Sequence, residues 1–138
     1  MAIIIDIKNA IRRAIYTHDS SINFFFNEIL KAEYPYVFFY IPSFRLAKSV
    51  DDVWQKLTLM CVIEYAKEED NTTTELWEYA DKLSEVYSLF DFLDTKLTAL
   101  NTEFKTVEGV LQMTFDLEVY VKTEDETELM RELALTLK

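Results

Sequence analysis

Of 138 residues only one, Gly109, is a glycine, and only two, Pro35 and Pro42, are prolines. Glycine is the default wherever backbone takes positive φ or passes close to a ligand. This chain therefore has one obvious place for a tight turn and little else that can leave regular helix and strand. Glycine-rich phosphate loops and strained nucleophile elbows need glycines at set offsets, and none are present at those offsets. Half the residues are apolar and 14% are aromatic, which favours a packed core over disorder.

Periodicity divides the chain into elements. Ile4, Ile7, Ile11, Ala14 and Ile15 recur at helical spacing, with Lys8, Asn9, Arg12 and Arg13 opposite, and predict an amphipathic helix over residues 3–16. Polar residues 17–21 end it and leave His18 near its C-terminus. Short strand patterns follow at 22–26 and 36–41, the second bracketed by Pro35 and Pro42 where a ladder starts and stops. Residues 53–66 alternate, with Val53, Leu57, Leu59, Cys61, Ile63 and Tyr65 on one side, as a long half-buried strand does. Thr72 and Glu75 have capping-box spacing before a helix over 73–89, where Leu76, Ala80, Leu83, Tyr87 and Phe90 repeat. Two further strands, 96–106 and 110–122, flank the turn at Gly109 as a hairpin. In its second arm Leu111, Met113, Phe115, Leu117, Val119 and Val121 face inward. Leu129, Met130, Leu133 and Leu137 suggest a C-terminal helix over 126–137. The expected fold is α+β in the order α-β-β-β-α-β-β, with that last helix possible. It is a single domain over residues 1–138, built on a mostly antiparallel sheet with helices packed on it. Strands of eleven to fourteen residues are about twice the usual length, so either they protrude as arms that seek a neighbour, or bulges and earlier ends shorten them.

The formal net charge is −11, which repels phosphate backbones and removes the counterion release that drives most nucleic-acid binding, so tight DNA or RNA binding is not expected. No apolar run is long enough to span a bilayer as a helix, so no membrane association is expected either. A lone cysteine and the lack of a basic leader point to a cytoplasmic location. One Cys and one His cannot make a zinc site within the chain. His18 has only Asp19, Ser20 and Ser21 beside it, whereas catalytic partners converge from separate segments. Cys61 lies on an apolar strand face and reads as an inert core thiol. The acidic loop with Glu68, Glu69 and Asp70 lacks the alternating ligands and central glycine of a calcium hand and reads as a solvated loop. Neither catalytic residues nor cofactors are expected, and the chain reads as a protein that works by assembling. The aromatics at 24–26 and 34–44 fall on both faces of their strands. Either the domain covers both faces itself, or another subunit covers one.

The order of elements, with Pro35-Tyr36-Val37-Phe38-Phe39, Val62-Ile63-Glu64-Tyr65 and Glu75-Leu76-Trp77-Glu78-Tyr79-Ala80-Asp81-Lys82-Leu83, resembles the tail terminator family of tailed bacteriophages and prophage-derived particles over residues 5–122. The resemblance implies a structural subunit of a virion or phage-like particle, assembled in the bacterial host cytoplasm. It forms a ring, as a rule a hexamer, on the end of the tail tube, stops tail polymerisation and offers a surface for joining the head. Its implied partners are copies of itself, the tail tube protein, and the sheath and head completion proteins. A closed ring needs head-to-tail contacts. The arm expected to supply them is Glu103, Phe104, Lys105, Thr106, Val107, Glu108, Gly109 and Val110, with the loop Glu68, Glu69 and Asp70 facing the lumen or a partner. Another neck protein, or a monomeric acidic binding module, are the competing readings.

Overall fold

The computed structural model describes residues 3–28, 33–48, 53–67 and 73–122. Within them the order is α1 (Ile3–His18), β1 (Asn23–Phe26), β2 (Tyr36–Lys48), β3 (Trp54–Ala66), α2 (Thr73–Ser88), β4 (Phe90–Phe92), β5 (Thr95–Leu97), β6 (Leu100–Val107) and β7 (Val110–Lys122). Five strands form one sheet in the order β1-β2-β3-β7-β6, and β4 with β5 makes a separate small hairpin. β1 runs parallel to β2, and the other pairs are antiparallel. The α+β class and the helices packed on a mostly antiparallel sheet are as the periodicities predict.

Both helices lie on one face of the sheet. The α1 stripe Ile4, Ile7, Ile11 and Ile15 and the α2 stripe Leu76, Leu83 and Tyr87 are buried with Phe39, Leu57, Leu59, Ile63 and Phe115 in one cluster. Each fully buried aliphatic side chain there contributes about 1.5–3 kcal/mol. Tyr87 joins the layers: its hydroxyl donates to the Ile11 carbonyl at 2.8 Å, and its ring stacks on Phe115 at 6.1 Å between centroids. The Ala99 amide and the Thr98 hydroxyl donate to the carbonyls of Tyr87 and Ser88, satisfying acceptors that the last turn of α2 leaves open.

Several boundaries differ from expectation for local reasons. Pro42 does not stop β2. From Tyr40 to Ser43 the strand advances three residues while β3 advances two, from Val62 to Met60, so Pro42 lies in a one-residue bulge. A bulge leaves one residue outside the ladder, which suits a residue with no N–H. It also switches the parity of the strand: Val37, Phe39 and Ile41 face the core before it, Phe44 and Leu46 after it. Helix α2 ends at Ser88, and Phe90 opens β4 instead of closing the helix. The first arm of the large hairpin is eight residues because 95–97 belong to β5. β3 and β7 are about as long as expected, whereas β2 runs 13 residues where six were expected. β3 and β7 are buried on their inner side from Leu57 to Tyr65 and from Leu111 to Val121, so they are not unsupported arms. Left-handed backbone is not confined to Gly109: Asn27, Leu93, Asn101 and Glu108 have φ of 65°, 51°, 53° and 51°. Thr72 of the expected cap and the expected helix over 126–137 lie outside the described residues.

Candidate interaction surface

The expected contact arm is the tip of the β6–β7 hairpin. Val107 pairs with Val110, so Glu108 and Gly109 form a two-residue turn, and both have positive φ. That is the turn whose twist matches paired strands, and it favours glycine at its second position. Along β6 every residue is exposed except Leu100 and Phe104, which are half-buried; Phe104 packs on the core. β6 pairs with β7 alone among the described strands, so its other edge is open among the described residues. On the far side of the sheet β1 covers β2 only through Phe39, so the C-terminal half of β2 is a second open edge among the described residues.

The face of the sheet away from the helices is mixed. Phe25, Phe38 and Tyr40 are half-buried there, Met60 is 41% exposed and Tyr120 63% exposed, and no described helix packs over them. Burial and a hydrogen bond to Glu64 raise the Tyr40 hydroxyl to about 12. Lys56 lies 3.7 Å from Glu118 across the β3–β7 pair. Among the described residues, one aromatic face has no helix over it. The loop residues Glu68, Glu69 and Asp70 lie outside the described residues.

The sequence reading missed a groove. The C-terminal half of α1, the end of α2 and the β4–β5 hairpin enclose about 570 Å³ between Ala10, Ala14 and Val86, with Arg13, His18 and Lys96 on the rim. Lys96 donates to Asp91 at 2.8 Å, and this bond, the Lys96 charge and Arg13 together lower the Asp91 carboxyl against a small burial effect. Leu89 and Leu93 stand at its mouth, 59% and 58% exposed. The available signal was Leu89 and Leu93 flanking Phe90-Asp91-Phe92, apolar residues that fit neither a helix stripe nor one strand face.

Nearby, Asp19 follows α1 and binds the end of a stacked tyrosine pair. Tyr65 and Tyr79 lie parallel at 3.5 Å between centroids, and the Tyr79 hydroxyl donates to Asp19 at 3.2 Å. Burial pushes the Asp19 carboxyl upward, but hydrogen bonds from Ser21 and Tyr79 and the charge of Lys82 outweigh it, and the net shift is downward. His18 is exposed at the end of α1, whereas Cys61 is fully buried and its thiol is pushed far up by burial. The two are not brought together as a nucleophile and base would be. Among the described residues no three His, Cys, Asp or Glu side chains gather as metal ligands, and no helix is long and apolar enough to cross a membrane.

Comparison with known proteins gives this surface a context. No curated protein matches the chain. A family model described as phage tail terminator protein matches residues 6–128, most of the chain, from the first turn of α1 through β7. It is a family of structural components of the phage tail. The chain belongs to the phage tail terminator family.

Proposed function

We propose that this chain acts as one domain that closes into a ring, as a rule a hexamer, on the end of the tail tube, stops its polymerisation and presents the surface that receives the head. The observation that carries this reading is the β6–β7 hairpin. Its edge strand is exposed apart from half-buried Leu100 and Phe104, it has a side that no described strand pairs with, and it ends in a tight turn that places Val107 in solvent at 44% exposure. Monomers usually blunt such edges. A ring subunit uses one, because head-to-tail contacts need a projecting element that fits a different surface on the next copy. The hairpin tip, residues 103–110, is the arm in this reading, and the loop carrying Glu68, Glu69 and Asp70 faces the lumen or a partner. With a net charge of −11 per copy, acidic walls would let DNA pass without adhering.

Mass measurement and electron microscopy test the proposal together. The purified chain, alone or mixed with growing tail tubes of its own particle, should reach a mass of several 16.3 kDa copies and cap tube ends, and tubes should stop lengthening on its addition. A chain that stays monomeric and leaves tube length unchanged would instead support the acidic binding module. Rings that bind only the head side would indicate another neck protein.

A further inference from the structure

The groove between α1, α2 and the β4–β5 hairpin carries an inference that rests on the ring reading and deepens it by naming the receiving surface. Leu93 occupies the first position of the two-residue turn between Phe92 and Thr95, with φ of 51°. Left-handed backbone is strained for a non-glycine residue, least for asparagine and aspartate. Leucine is therefore a poor choice there for the backbone, and at 58% exposure it is a poor choice for solvation as well. Leu89, 59% exposed, stands beside it at the groove mouth. Two unfavourable choices at one spot are resolved if the leucines are covered in the assembled state.

The charges say what covers them. In a chain of net charge −11, α1 carries Lys8, Arg12 and Arg13 against Asp6 alone, and Arg13 and Lys96 line the groove against one lining carboxylate, Asp91, which Lys96 binds at 2.8 Å, with exposed Asp94 beside Leu93 in the turn. The matching element of the same chain is the β6–β7 tip, where exposed Val107 lies between Glu103 and Glu108, with Lys105 the one base. A tip cannot fill its own groove. β6 starts three residues beyond the end of β5 and runs seven steps to Val107, about 23 Å at 3.3 Å per residue. We infer that the groove of one copy receives the hairpin tip of the next, with Val107 against Leu89 and Leu93 and with Glu103 and Glu108 facing Arg13 and Lys96. Donor and acceptor are then different surfaces, as a closing head-to-tail ring requires.

Because the native thiol Cys61 is buried, engineered cysteines can report this contact. Oxidised under native conditions, the double variant Leu93→Cys with Val107→Cys should give a ladder of covalent multimers, while each single variant stays monomeric on denaturing gels. Leu93→Asn, suited to left-handed backbone, should raise the unfolding midpoint while weakening association at least tenfold. Covalent dimers from either single variant would mean like-with-like packing and overturn the inference. So would an absent ladder, or undiminished association of Leu93→Asn, under conditions where the unmodified chain forms rings; the ring reading would then survive. An unmodified chain that neither forms rings nor caps tubes overturns both.

Discussion

Asp19 shows how one side chain couples the end of α1 to α2. Its carboxylate accepts from the Ser21 hydroxyl at 2.7 Å and the Tyr79 hydroxyl at 3.2 Å, and Lys82 adds a favourable charge. The folded protein therefore holds this carboxyl below its ordinary 3.8, despite the opposing effect of burial. A depressed carboxyl contributes stability that is present above the unfolded value and lost as pH falls through the folded one. Denaturant midpoints of the unmodified chain and of Asp19→Asn should therefore differ at pH 7, with the variant lower, and converge as pH falls below about 4. A gap that persists unchanged at pH 2 would show that the variant acts through packing. Tyr79 works in the opposite sense. Burial raises its hydroxyl first, and the Asp19 charge raises it further, so its contribution fades only in strong alkali.

Among the elements, the two hairpins make instructive neighbours because both close with two-residue turns that need left-handed backbone, at both central positions in the large one and at the first alone in the small one. At the large hairpin Glu108 and Gly109 both take positive φ, and a side chain added at 109 would meet open space. The cost of any substitution at 109 is thus backbone strain. Gly109→Val should destabilise by about 1–2 kcal/mol, and Glu108→Asn should stabilise by about 0.5 kcal/mol, since asparagine tolerates left-handed backbone. Urea titrations should show midpoints moving in opposite directions with unchanged slopes. At the small hairpin the same backbone demand falls on Leu93. A local stability optimum was available at both turns, and only the large one has glycine to take it.

For the molecule as a whole, stability rests on the contact between two layers. Phe115 in β7 lies at its centre, fully buried, opposite Cys61 on β3 and stacked on Tyr87 of α2. Phe115→Ala removes a large side chain that both layers touch and should cost about 3–5 kcal/mol, a large share of the roughly 5–15 kcal/mol typical of a domain. Calorimetry should show one cooperative transition at a lower midpoint. Two separate transitions would mean that sheet and helices are not one unit. The charge acts at this scale too. A net charge of −11 opposes the approach of copies, so the proposed ring would have to rest on local complementarity, such as that inferred between the groove and the hairpin tip.

Much of this was legible in the residues. The stripes of α1 and α2, the alternation of β3 and β7 and the turn at Gly109 were all readable because helix and strand periods are local properties of the chain. So were the core position of Cys61 and the place of His18 at the end of a helix. The rest depended on which segments meet. The parallel partner of β1 lies ten residues onward, and no local period announces it. The bulge at Pro42 exists because Phe44 and Leu46 must share a face with Leu57 and Leu59, a demand that comes from β3 and the core beyond it. The groove is formed by α1, α2 and β4–β5, segments some 75 residues apart, so its leucines and basic residues stand together only after folding. Sequence alone determined what each element is, because backbone and side-chain periodicity act over a few residues. Only the tertiary structure decided which faces and edges are left for partners, because exposure depends on everything packed around a residue.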